Sequence, residues 1–144
     1  PGPKNSLGTV KYMFGNPFAI YLHDTPSKSA FKRTQRAVSH GCVRLEDPIL
    51  FGEFLMQNSK EYDPDDFRIM MGYEPKDPER LENYDPTDTL ATIQELEETT
   101  SINLDKRMSL YLDYRTVYFT TDWKPRFCYD IYNQNRLILE ALNN

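Results

Sequence analysis

The run Ser39-His40-Gly41-Cys42-Val43-Arg44 sets one of the chain's two cysteines close behind one of its two histidines. The other histidine, His23, lies seventeen residues before His40. A thiol and two imidazoles in one short window point to covalent catalysis. A free cysteine, with a pKa of about 8.5, is only a few per cent thiolate near neutral pH, so a nucleophilic cysteine needs a neighbouring base or positive charge. Histidine, unperturbed at about 6.5, is the side chain suited to be that base. Gly41 permits a tight bend that turns backbone N–H groups toward a developing oxyanion.

The charge pattern fits that chemistry. Residues 25–45 contain Lys28, Lys32, Arg33, Arg36 and Arg44 and no acid, whereas residues 46–98 contain sixteen acids and four bases. Cations around Cys42 would favour a thiolate and attract a substrate bearing a carboxylate; a solvated basic loop is the competing reading. The net charge of −5, with no Gly-rich phosphate loop or groove-reading helix, argues against nucleic acid as a partner.

These residues need elements to position them. A chain of 144 residues suffices for one domain with a core, and ten Tyr, eight Phe and one Trp favour strands over a helical bundle. The expected class is a β-rich mixed α+β fold with peripheral helices. Thr9–Phe14 and Ala19–Leu22 read as short strands around the turn Gly15-Asn16-Pro17, which puts His23 at a strand end. Thr25–Ala37 reads as a loop with one helical turn. A helix is expected from Asp47-Pro48 to about Asn58, burying Leu50, Phe51, Phe54 and Leu55.

Beyond that helix, residues 60–86 read as an acidic surface excursion, and Pro86–Thr99 as an amphipathic helix. Ile102–Leu104 and Ser109–Thr120 read as β-rich, followed by a turn at Asp122–Pro125, a second hairpin strand in Arg126–Ile131 and a short helix over Leu137–Leu142. Cys128 is expected to be a small buried hydrophobe, and the late tyrosines to be core and strand-face residues. No apolar run approaches the roughly 20 residues that span a bilayer. The opening Pro1-Gly2-Pro3-Lys4 is neither a signal peptide nor an initiator methionine, so the chain is expected to be a piece of a longer protein, incomplete at its N-terminus.

His23, a spacer of fifteen residues and then Ser39-His40-Gly41-Cys42-Val43 together resemble the signature of the YkuD-type L,D-transpeptidases of bacterial cell walls. Arg44 departs from the commoner asparagine but is similar to a large periplasmic subgroup, as are Tyr21-Leu22-His23-Asp24-Thr25-Pro26, Phe31-Lys32-Arg33 and Asp130-Ile131-Tyr132. The resemblance implies a sheet or sandwich of the L,D-transpeptidase type over residues 1–144, with Cys42 as nucleophile and His23 as general base. Asp24 would orient His23 through its main chain. The N–H groups of His40, Gly41 and Cys42 would form an oxyanion hole, while Ser39 and His40 hold the loop. Arg44 would pair with a substrate carboxylate or tie the loop down, and Asp24 joins it on the substrate-binding side.

The implied reaction is acyl transfer from the third stem residue of a peptidoglycan tetrapeptide to an acceptor amine, forming a 3-3 cross-link. No cofactor or metal is implied. Carbapenems would be inhibitors, and the location would be the periplasm or cell envelope, with a membrane anchor possible in the full-length protein. The alternatives are an L,D-carboxypeptidase, with water as acceptor, and a catalytically impaired peptidoglycan-binding module. An uncovered sheet edge could pair with another chain. A zinc site on His23, His40 and Cys42 would lack a fourth ligand, and a Cys42–Cys128 disulfide would silence the thiol.

Overall fold

The computed structural model describes residues 5–39, 41–87 and 101–143. The chain forms two compact units, Pro1–Arg107 and Met108–Asn144. The architecture is mixed α+β, with small sheets and short helices.

In the first unit, β1 (Lys11–Tyr12), β2 (Leu22–His23) and β3 (Val43–Arg44) form a sheet in the order β1-β2-β3. β1 and β2 are antiparallel, with Lys11 opposite His23 and Tyr12 opposite Leu22. β2 and β3 are parallel, with Leu22 opposite Val43 and His23 opposite Arg44. The strands are shorter than the sequence suggests, because Asn16 closes the intervening loop on itself. Its amide nitrogen donates to the Phe14 and Ile20 carbonyls, and its oxygen accepts from the Phe18 and Ile20 N–H groups. Those are backbone groups a longer ladder would have used. The central strand is the buried one, and His23 ends it, as expected. The crossover to β3 contains a 3-10 turn over Lys28–Lys32, matching the single helical turn expected there.

Helix α1 (Pro48–Met56) starts where the sequence places it: the Asp47 carboxylate caps the Leu50 N–H at 2.9 Å, and Pro48 occupies the first turn. Its buried face is not the expected one. Ile49, Gly52, Glu53 and Met56 point inward, while Leu50 and Phe54 are exposed and Phe51 and Leu55 half-buried. A glutamate can occupy the inner face because α2 (Pro64–Met70) supplies its partner: Arg68 lies 2.6 Å from Glu53, and Lys76 pairs with its other oxygen at 2.5 Å.

The acidic stretch is therefore more than a surface excursion. Phe67 of α2 joins Ile49 and Met56 in the core, against Val10, Tyr12, Ile102 and Leu104. The acids here serve as caps and anchors. Asp63 and Asp66 form a capping box that also grips Arg80. Asp65 accepts the Lys76 and Asp77 N–H groups at 2.8 Å each, and Asp77 caps α3 (Pro78–Glu82). The helix expected at Pro86–Thr99 falls almost wholly outside the described residues.

In the second unit, β4 (Val117–Phe119) and β5 (Pro125–Phe127) form the expected hairpin, Val117 opposite Phe127. α4 (Gln134–Leu142) follows. Asp130 organises its start, accepting from the Tyr114 hydroxyl at 2.7 Å and from the Gln134 and Asn135 N–H groups. Ile102–Leu104 and most of Ser109–Thr120 are not strand. Cys128 is exposed rather than buried, and so are Tyr111, Tyr118, Tyr129 and Tyr132. Within this unit the two-stranded hairpin is a single layer, and one layer alone does not bury its side chains.

Candidate functional site

Alternation along β2 sends Tyr21 and His23 to one face, and their rings meet edge-on with centroids 5.7 Å apart. The parallel register carries Cys42 alongside: the Val43 N–H donates to the Tyr21 carbonyl at 3.0 Å, and the Leu45 N–H to the His23 carbonyl at 2.9 Å. Hydrogen bonding to the neighbouring Cys42, then desolvation and the charge of the thiolate form, push the Tyr21 phenol above its ordinary pKa. Tyr21 thus touches both His23 and Cys42. Across the sheet, the Lys11 ammonium lies over the Tyr21 ring, 5.8 Å from its centroid.

His23 is 4% exposed, and its Nδ1 is hydrogen-bonded to the Asp24 main-chain oxygen. A carbonyl oxygen only accepts, so Nδ1 donates the proton and Nε2 is left as the basic nitrogen. The Asp24 carboxylate is already engaged. One oxygen accepts from the Thr9 N–H at 3.0 Å and hydroxyl at 3.1 Å, and the other from Lys28 Nζ at 2.9 Å. Burial pushes this carboxyl up, but the Lys28 hydrogen bond, the Thr9 and Thr25 N–H groups and the Lys28 charge outweigh it and hold it below the ordinary value. Thr9 and Lys28 thus hold the two oxygens of this carboxylate from opposite sides.

Cys42 is a free, partly exposed thiol. Ser39 Oγ donates to the Cys42 carbonyl at 2.7 Å and accepts from the Gly41 N–H at 3.5 Å, so this hydroxyl holds the loop around the nucleophile. Gly41 has φ +146°, in the region that favours glycine, while a Cβ there would meet nothing closer than Ile20 at 3.7 Å. Arg44 donates to the Val38 carbonyl at 3.3 Å, tying the loop to β3, and its buried Nε has no partner among the described residues. His40 lies outside the described residues, and with it the zinc alternative.

The profile of the YkuD family, the L,D-transpeptidase catalytic domain, matches residues 1–62. A provisionally named L,D-transpeptidase of Haemophilus influenzae is 40% identical over 55 residues, 38% of this chain and 11% of that relative's length.

Within residues 1–62, the stretch that the YkuD profile matches, the fold brings together His23, Ser39, Gly41, Cys42 and Arg44. Tyr21, Lys11 and Thr9 carry no distinct role in the sequence reading. Period-two alternation was the available signal for Tyr21, since it places the phenol beside His23 on one strand face. Thr9 and Lys11 had none, because their partners depend on the β1/β2 register.

Proposed function

We propose that the protein is an L,D-transpeptidase of the bacterial cell envelope, in which Cys42 takes the acyl group of a peptidoglycan stem peptide. The observation that carries this reading is the side-chain set Tyr21, His23 and Cys42 on one face of the β2–β3 pair, within a YkuD segment. His23 Nε2 accepts the thiol proton, and the Cys42 sulfur attacks the carbonyl of the third stem residue. The N–H groups of His40, Gly41 and Cys42 receive the oxyanion; in well-studied cases one such donor is worth about 3–4 kcal/mol. Collapse breaks the C–N bond. The imidazolium returns its proton to the departing D-alanine amine, leaving a thioester that an acceptor amine resolves as a 3-3 cross-link.

Arg44 ties the loop through Val38, and a substrate carboxylate would be the natural partner for its Nε, which has none among the described residues. Carbapenems would acylate the same sulfur. Among the described residues no helix is long and apolar enough to cross a membrane. Incubation with tetrapeptide muropeptides followed by mass spectrometry tests the reading. Dimers joined 3-3 are expected. Tripeptides alone would indicate the carboxypeptidase alternative, and unchanged muropeptides would overturn the proposal.

A further inference from the structure

We infer that Lys28 is a positioning residue for the site, a single ammonium that fixes the base-bearing strand against the nucleophile-bearing strand. An ammonium has three N–H donors, and Lys28 Nζ reaches three acceptors: Asp24 Oδ1 at 2.9 Å, the Leu45 carbonyl at 3.3 Å and the Glu46 carbonyl at 2.7 Å. Asp24 follows His23 and supplies the carbonyl that orients its imidazole. Leu45 and Glu46 follow β3 and lie three and four residues beyond Cys42. The ammonium therefore joins the two strands just past their last ladder bond, the Leu45 N–H to the His23 carbonyl.

The need for such a tie lies in the ladder itself. β2 and β3 pair over two residues each, and strands so short are marginal alone. A slip there would move Cys42 against His23 directly, and misplacement by about 1 Å can cost about 100-fold in rate. The tie is anchored at its far end. Thr9 holds the second Asp24 oxygen, and the backbone at Gly8 passes so close that a Cβ would fall 2.1 Å from it. The carboxylate is thus locked between β1's approach and Lys28, and the carbonyl facing His23 Nδ1 is locked with it.

This inference rests on His23 acting as base for Cys42, so the experiment is one that needs no peptidoglycan. The rate of Cys42 alkylation by iodoacetamide is followed against pH by peptide mapping in the wild type and in Lys28→Met, Lys28→Arg and His23→Ala, with Tm measured for each. The wild-type profile is expected to contain a limb that His23→Ala abolishes. Lys28→Met should shift or flatten that limb and slow Cys42 alkylation about tenfold at neutral pH, a fraction of the misplacement effect above. Lys28→Arg should fall between the two, because a planar fork cannot reach all three converging oxygens.

A purely structural lysine would lower Tm and leave the limb in place. If Lys28→Met does not fold, Lys28→Arg alone decides. A limb superimposable on the wild type's in every folded Lys28 variant overturns the inference. No effect of His23→Ala overturns the base assignment and the inference with it. A limb that responds to Lys28 in a protein that leaves muropeptides unchanged keeps the positioning role and rejects the proposed substrate.

Discussion

The strand that carries His23 and the loop that carries Cys42 are built in opposite ways. His23 is buried in the central strand, bonded through Nδ1 to a carbonyl whose own residue is held by Thr9 and Lys28. Cys42 is partly exposed and depends on Ser39, on the unusual backbone of Gly41 and on one Arg44 bond to Val38. The base is fixed by many weak ties, whereas the nucleophile keeps room to meet a substrate. A general base must hold its angle to be effective, while a nucleophile that forms and breaks a covalent bond must advance and retreat.

Substitutions on the two sides should therefore fail differently. Cys42→Ala should abolish acylation by muropeptide or carbapenem, read as loss of the mass adduct, with Tm unchanged because the side chain is not in the core. His23→Ala should slow acylation by about 10²–10⁴-fold and remove its limb from the alkylation profile. His40→Ala should cost less, since it leaves the proton acceptor in place. Equal losses would end the distinction between the histidines.

Gly41→Ala should cost about 1–3 kcal/mol in backbone strain, or roughly tenfold in acylation at constant thiol alkylation. Its Cβ has space, so Tm should fall by no more than that strain accounts for; a collapse in Tm would show that the loop is part of the core after all. The smallest effect concerns acid. The Asp24 carboxyl is held below its ordinary value, so its pairing stabilises the fold fully above the unfolded-state aspartate value, about 3.9, and is lost as pH falls through the lower folded value. Urea midpoints of the wild type should decline across that acid range, and less steeply in Asp24→Asn. Parallel curves would show that the base-side clamp adds nothing to stability.

How much of this was legible in the sequence depended on whether the signal was local. The strand end at His23, the Asp47-Pro48 helix start and the turn after Thr120 are local, and they appear where expected. The inner face of α1 is not. Periodicity ranks Leu50 and Phe54 above Glu53, yet Glu53 is buried because Arg68 and Lys76 arrive from another segment. Cys128 and the late tyrosines failed for the converse reason: strand-like composition reads as burial, but a hairpin buries nothing unless a second layer covers it. Lys28 read only as one charge in a basic run, because its acceptors come from β2 and from the chain beyond β3.

The two thiols offer the most direct test of the central claim. Because Cys128 is exposed, a simple alkylating agent should label both cysteines, whereas an acylating agent that needs a base and an oxyanion hole should label one. Exposure to a carbapenem, followed by intact-mass measurement and peptide mapping, is predicted to give a single adduct on Cys42, absent in Cys42→Ala and slowed in His23→Ala. An adduct on Cys128, or one on Cys42 that forms equally fast without His23, would contradict the account.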